Sequence, residues 1–107
     1  MLPEVLIFIK PGVVLHSHIL EHGFTTFGRG ADNAICLDDP AVSRDHGAFY
    51  YRAGVLSIED HSSKNGVFVN GMRVRRKVLY TGDYVSVGCF KVFVKHGSEH
   101  PRNVYAG

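Results

Sequence analysis

The sequence predicts an all-β fold, an antiparallel β-sandwich or barrel. Three observations carry this. Roughly ten short runs rich in β-branched and aromatic residues recur along the chain, each closed by turn residues. No window keeps apolar positions at helical spacing for three turns. Asn70-Gly71, between "VFV" and "MRV", supplies the positive φ angles of a two-residue hairpin, so its strands should pair antiparallel. Short strands without a helix bury their apolar faces only against another sheet or in a closed barrel.

The elements follow in order. "EVLIFIK" (4–10) is a strand apolar on both faces, stopped by Pro11-Gly12. "VVLHSHIL" (13–20) runs to His22-Gly23, and "FTTF" (24–27) ends at Gly28. "AICL" (34–37) stops at Asp38-Asp39-Pro40, and "GAFYYR" (47–52) at Ala53-Gly54. "VLSIED" (55–60) leads into the polar "HSSKNG", after which "VFV" and "MRV" form the hairpin. The basic "RVRRK" (73–77) is read as a solvated hairpin edge, where like charges discourage edge-to-edge pairing. "YVSV" (84–87), Gly88 and "CFKVFVK" (89–95) complete the set. Residues 1–96 are therefore read as one domain, and 97–107 as a polar tail or linker start.

A chain of 107 residues with 45% hydrophobic and 21% charged residues can bury one core. Its formal net charge of +2 argues against general nucleic-acid binding, which requires a broad basic surface. The first ten residues lack the basic start and cleavage site of a signal peptide, and nothing reaches membrane-spanning length. Neither nucleic acid nor membrane is expected as a partner. Cys36 and Cys89 lack CxxC spacing and fall in strand-like runs, so both are expected to be buried thiols; a single disulfide stays open. The expected setting is cytoplasmic or another reducing intracellular compartment.

Three segments hold the unusual polar residues: Gly28 to Gly30, Ser43 to His46 and Ser62 to Gly66. If a sandwich gathers them at one end, Arg29, Ser43, Arg44, Lys64 and Asn65 converge. All five can donate hydrogen bonds, which suits a phosphate dianion with its several acceptor oxygens. The plainer reading of Arg29 and Arg44 is as solvated loop arginines. Ser43, Asp45 and His46 are triad residue types, yet neighbours within one loop do not by themselves make triad geometry. No nucleophile elbow is visible, and no enzyme is expected. His16 and His18 share one strand face but have no third ligand fixed to them, so neither metal nor cofactor is expected and both should face solvent.

The spacing of Gly28-Arg29, "SRDH" (43–46), "SSKNG" (62–66) and "VNG" (69–71) resembles that of the forkhead-associated (FHA) domain family. The likeness extends from about Val5 to about Lys95. It implies a β-sandwich of about eleven strands that binds phosphothreonine in an extended peptide. By position, Arg29 is similar to the family's phosphate-clamping arginine and Ser43 to its phosphate-bonding serine. Arg44 takes the adjoining, often phosphate-touching position. Asn65 resembles the asparagine that bonds peptide backbone. Gly28, His46 and Gly66 are structural by the same likeness: a tight turn, a buried bracing histidine and a second turn. Lys64 departs from the family's frequent serine or threonine; it either adds a longer charge contact, the reading adopted, or points into solvent. The function expected is phosphothreonine-dependent recognition of a partner protein in signalling. The alternative is a phosphate-independent docking or self-association domain of the same fold.

Overall fold

Segments with a two-residue apolar repeat become strands, and the repeat decides which side chains turn inward. The computed structural model describes residues 2–10 and 13–96, so the tail at 97–107 lies outside the described residues. Within them run β1 (Glu4–Lys10), β2 (Val13–Ile19), β3 (Gly23–Gly28), β4 (Ile35–Cys36), β5 (Gly47–Arg52) and β6 (Val55–Asp60). There follow β7 (Val67–Val69), β8 (Met72–Val74), β9 (Arg76–Leu79), β10 (Tyr84–Val87) and β11 (Phe90–Lys95). These eleven strands make two sheets, ordered β2-β1-β11-β10-β7-β8 and β4-β3-β5-β6-β9. The sandwich expected from the sequence is the one observed.

Its core follows from alternation. β11 buries Phe90, Val92 and Val94 and turns Lys91 and Lys95 to solvent. Val5, Ile7 and Val85 from the same sheet join Phe27, Phe49, Leu56 and Ile58 from the other in one cluster. Full burial of such a side chain contributes about 1.5–3 kcal/mol, and the two sheets supply each other's cover. No helix of the described residues is long and apolar enough to cross a membrane.

The hairpin at Asn70-Gly71 has the expected geometry, with φ of 51° and 87° and Val69 opposite Met72. Asn70 also donates to the Asp83 carboxylate at 3.0 Å and accepts from the Tyr84 amide at 3.0 Å, tying the turn to β10. Gly71→Ala places a Cβ in the left-handed region and should lower unfolding free energy by about 1–2 kcal/mol, read as a shifted urea midpoint with unchanged slope. No shift would mean the turn relaxes at no cost.

Three expectations need correction. β3 and β4 pair in parallel, Phe27 with Ile35 and Gly28 with Cys36, in an otherwise antiparallel set of described pairings. The cause is the 29–34 loop: the Ala34 amide donates to Thr26 Oγ1 at 3.1 Å, so the chain returns beside β3 and restarts in the same direction. The basic segment does lie at a sheet edge, as expected, but its second half is a strand of its own, β9, the last of the five-stranded sheet. Only Leu79 of that strand is buried, and its pairing with β6, Lys77 opposite Ile58, defines it rather than any apolar alternation. Finally, Cys36 and Cys89 are free and exposed, not buried. Cys36 points outward between buried Ile35 and Leu37, and Cys89 sits in the β10–β11 turn. Desolvation of its sulfur, helped by nearby Asp39, nonetheless pushes the Cys89 thiol above its usual pKa.

Candidate functional site

The polar segments meet where the connections β3–β4 (29–34), β4–β5 (37–46) and β6–β7 (61–66) leave the sheets. Two backbone bonds extend the sheet edge into the loops: Arg29 N–H to the Ser43 carbonyl at 2.9 Å and Gly30 N–H to the Arg44 carbonyl at 3.1 Å. The ladder sets Arg29 beside the Ser43 segment. Its Nε–H donates to the Val42 carbonyl at 3.0 Å, which fixes the guanidinium plane and leaves the terminal amino groups outside that bond. Gly28, expected in a tight turn, instead ends β3 without a left-handed φ. Its missing side chain matters for another reason: a Cβ there would run into the Arg44 carbonyl oxygen.

His46 is fully buried and connects two loops. Its Nδ1 accepts from the Ser43 amide at 3.0 Å, so the hydrogen lies on Nε2, which donates to the Gly66 carbonyl at 2.9 Å. Both ring nitrogens are thus committed to backbone, and neither is placed to take a proton from the Ser43 hydroxyl. The triad residue types at 43–46 make a brace. Gly66 has φ of 92°, and Arg73 lies so close that a Cβ would meet its Nε at 2.6 Å. A side chain at this position is opposed by backbone strain, while the exposed Arg73 side chain can swing aside.

The third loop closes onto the second. The Lys64 amide donates to Ser43 Oγ at 3.1 Å, and Asn65 Nδ2 donates to the Ala41 carbonyl at 2.8 Å. Arg29, Ser43, Arg44, Lys64 and Asn65 therefore belong to one bonded set of loops. The side chains of Arg29, Arg44, Lys64 and Asn65 are exposed and that of Ser43 is partly so. Arg44 enters through its backbone, and neither its guanidinium nor the Lys64 ammonium hydrogen-bonds within the described residues.

Sequence reasoning passed over several residues that build this end. Asn33 Nδ2 is 2.8 Å from both the Gly30 and Arg44 carbonyls and closes the 29–34 loop. Asp60 accepts from the Ser63 amide at 3.1 Å, and Ser63 Oγ accepts from the Gly66 amide at 2.9 Å, shaping the turn before β7. The Asp-x-x-Ser spacing at 60–63 was the available signal, since such side chains cap their own turns. Asp45, Glu59 and His61 form a further cluster, with His61 between the two carboxylates. Among the described residues no group of three or more His, Cys, Asp or Glu has the arrangement of a metal site. His16 is exposed and His18 half-buried on β2.

A family profile described as "FHA domain" matches residues 25–88, which include all three loops. The chain belongs to the FHA domain family. This FHA domain is 38% identical over 90 residues to the glycogen accumulation regulator GarA of Mycolicibacterium smegmatis, a match over 83% of this chain and 57% of that protein. It is 38% identical over 74 residues to the oxoglutarate dehydrogenase inhibitor of Corynebacterium efficiens, over 69% of this chain and 52% of the relative. The chain thus spans about half the length of these relatives. The FhaA FHA domain, solved in complex with the intracellular domain of Rv3910, superposes with a TM-score of 0.79 at 28% identity, covering 87% of this chain and 99% of that one.

Proposed function

We propose that this FHA domain recognises a phosphothreonine in an extended segment of a partner protein and performs no catalysis itself. One observation carries the reading most strongly. Ser43 Oγ already accepts a hydrogen bond from the Lys64 amide, so its own proton is left to donate outward. Beside it stands Arg29, oriented by Val42. A hydroxyl and a guanidinium held in this way make a donor pair for phosphate oxygens. In this reading Arg29 and Ser43 hold the phosphate, Arg44 and Lys64 add positive charge, and Asn65 bonds peptide backbone. Gly28, His46 and Gly66 keep the loops in shape. The free state of both cysteines suits a reducing intracellular compartment.

Calorimetry with a phosphothreonine-oriented peptide library and its unphosphorylated twin tests the proposal. Binding heat is expected only with phosphate, and phosphoserine peptides should bind more weakly because the family likeness implies a small site for the threonine methyl group. Equal binding of the two phosphoresidues would remove that methyl site from the reading. Equal heat from the unphosphorylated twin would remove the phosphate.

A second reading has its own observation. The outer face of the β3-β5-β6-β9 region bears a groove of about 320 Å³ in which Phe24, Tyr50, Val55 and Val78 alternate with Arg52, Ser57, Glu59 and Arg76. Phe24 is 62% exposed and packs against Tyr50 at 4.4 Å between ring centroids. Exposed aromatic and branched side chains rimmed by charge in this way suit phosphate-independent docking. Phosphatase treatment of a captured partner separates the two: loss of binding supports the loops, and retention supports the sheet face.

A further inference from the structure

Two of the site loops are joined by a side-chain bridge that requires a proton. His61 opens the 61–66 loop, and Asp45 lies in the 37–46 loop next to Arg44. His61 Nδ1 is 2.8 Å from Asp45 Oδ1, and its Nε2 is 2.8 Å from Glu59 Oε2. A carboxylate only accepts, so two such bonds need a hydrogen on both ring nitrogens, and only imidazolium has both. Neutral imidazole turns a lone pair toward one of the two carboxylates. The bridge then becomes a repulsion.

The surrounding charges reinforce this. Asp45 faces His61 from the β4–β5 loop and Glu59 from β6. From β9, Arg76 reaches Glu59 at 3.5 Å and is its only other ion-pair partner among the described residues. Neighbouring Asp60 is turned to the Ser63 amide, and Lys64 follows in the same loop. The hydrogen bond to Asp45 raises the His61 pKa above its ordinary 6.5; partial burial opposes the rise and Glu59 adds to it. The His61 amide also donates to the His46 carbonyl at 2.8 Å, so ring and backbone grip the same neighbouring loop.

We propose that His61 is a positioning residue for phosphopeptide binding: charged, it latches the 37–46 loop to the 61–66 loop, and neutral, it lets them loosen. The inference rests on the phosphopeptide reading above. Because the folded pKa is raised, the latch is complete below about pH 6.5 and is lost as pH rises through the raised value. The phosphate itself becomes a dianion above about pH 6. Affinity should therefore climb with phosphate ionisation and then decline as His61 loses its proton. His61 is 30% exposed and Asp45 71%, so the decline should be modest, about two- to fivefold. The loops keep their Lys64–Ser43 and Asn65–Ala41 bonds throughout.

The test pairs calorimetry with a phosphothreonine peptide, from about pH 6.5 to 9, with NMR titration of the His61 ring and of the Ser43 and Lys64 amides in free protein. Wild type should lose affinity with the midpoint of the ring titration, and the two amides should shift with that midpoint. His61→Gln should show only the rise with phosphate ionisation and no decline above it, levelling near the high-pH value of wild type. Glu59→Gln keeps the ring and should move its midpoint down toward 6.5. The same decline in His61→Gln, a ring midpoint at or below 6.5 in wild type, or amides indifferent to it would each overturn the latch. Absence of phosphate-dependent binding at every pH, in wild type and variant alike, would instead overturn the phosphopeptide reading. The amide titration in free protein then decides the latch alone, coupled shifts supporting it and none removing it.

Discussion

Arg29→Ala is expected to weaken phosphothreonine-peptide binding by roughly ten- to a hundredfold, the equivalent of one charge-assisted hydrogen-bond set at about 1.5–3 kcal/mol. The loss has two parts. One is the pair of terminal amino groups that would face the phosphate. The other is the order that the Nε–H bond to Val42 imposes on the loop carrying Ser43. Arg29→Lys separates them, since lysine keeps the charge but has no planar fork with which to grip a carbonyl and an anion together. Binding by Arg29→Lys should fall between wild type and Arg29→Ala. Because the Arg29 side chain is largely exposed, losing its bond to the Val42 carbonyl should lower unfolding free energy by only about 0.5–1.5 kcal/mol. Calorimetry gives the affinities and urea denaturation the control. Arg29→Ala binding at wild-type strength would take the phosphate away from this end of the sandwich.

His46→Ala should act on stability first, with a loss of about 2–4 kcal/mol. The imidazole is fully buried and satisfies the Ser43 amide on one side and the Gly66 carbonyl on the other. Its removal leaves both backbone groups without their partner and opens a void behind the loops. Unfolding by urea would show the loss directly. In the residual folded population, peptide binding should also weaken, because the Ser43 and Gly66 segments no longer share a common support. A variant as stable as wild type would mean that water or a shifted loop replaces the ring at little cost, and that His46 is not the brace it resembles.

Much of this molecule is legible in its amino-acid sequence. The branched and aromatic residues of "CFKVFVK" mark a strand and Asn70-Gly71 marks its hairpin, because both signals act within a few residues along the chain. β9 escaped notice because its residues are basic and only Leu79 turns inward. Cys36 reads as buried for a related reason. A two-residue strand at a sheet edge has one side against the core and one in water, and composition does not say which side Cys36 takes.

The site divides in the same way. Residue type alone marked Arg29, Ser43, Arg44, Lys64 and Asn65 as donors, since their chemistry resides in the side chain itself. Which of them stand together, and on what support, depended on partners far away in the chain. The Arg29 ladder to Ser43, the His46 bond to Gly66 and the Lys64 bond to Ser43 span loops that no local pattern connects. His61 is the clearest instance. In sequence it is one histidine among seven, and only folding brings Asp45 and Glu59 to opposite sides of its ring. Local rules set the strands and the turns because backbone geometry is decided residue by residue. Charge and hydrogen-bond partnerships form through space, and the packing of two sheets chose them.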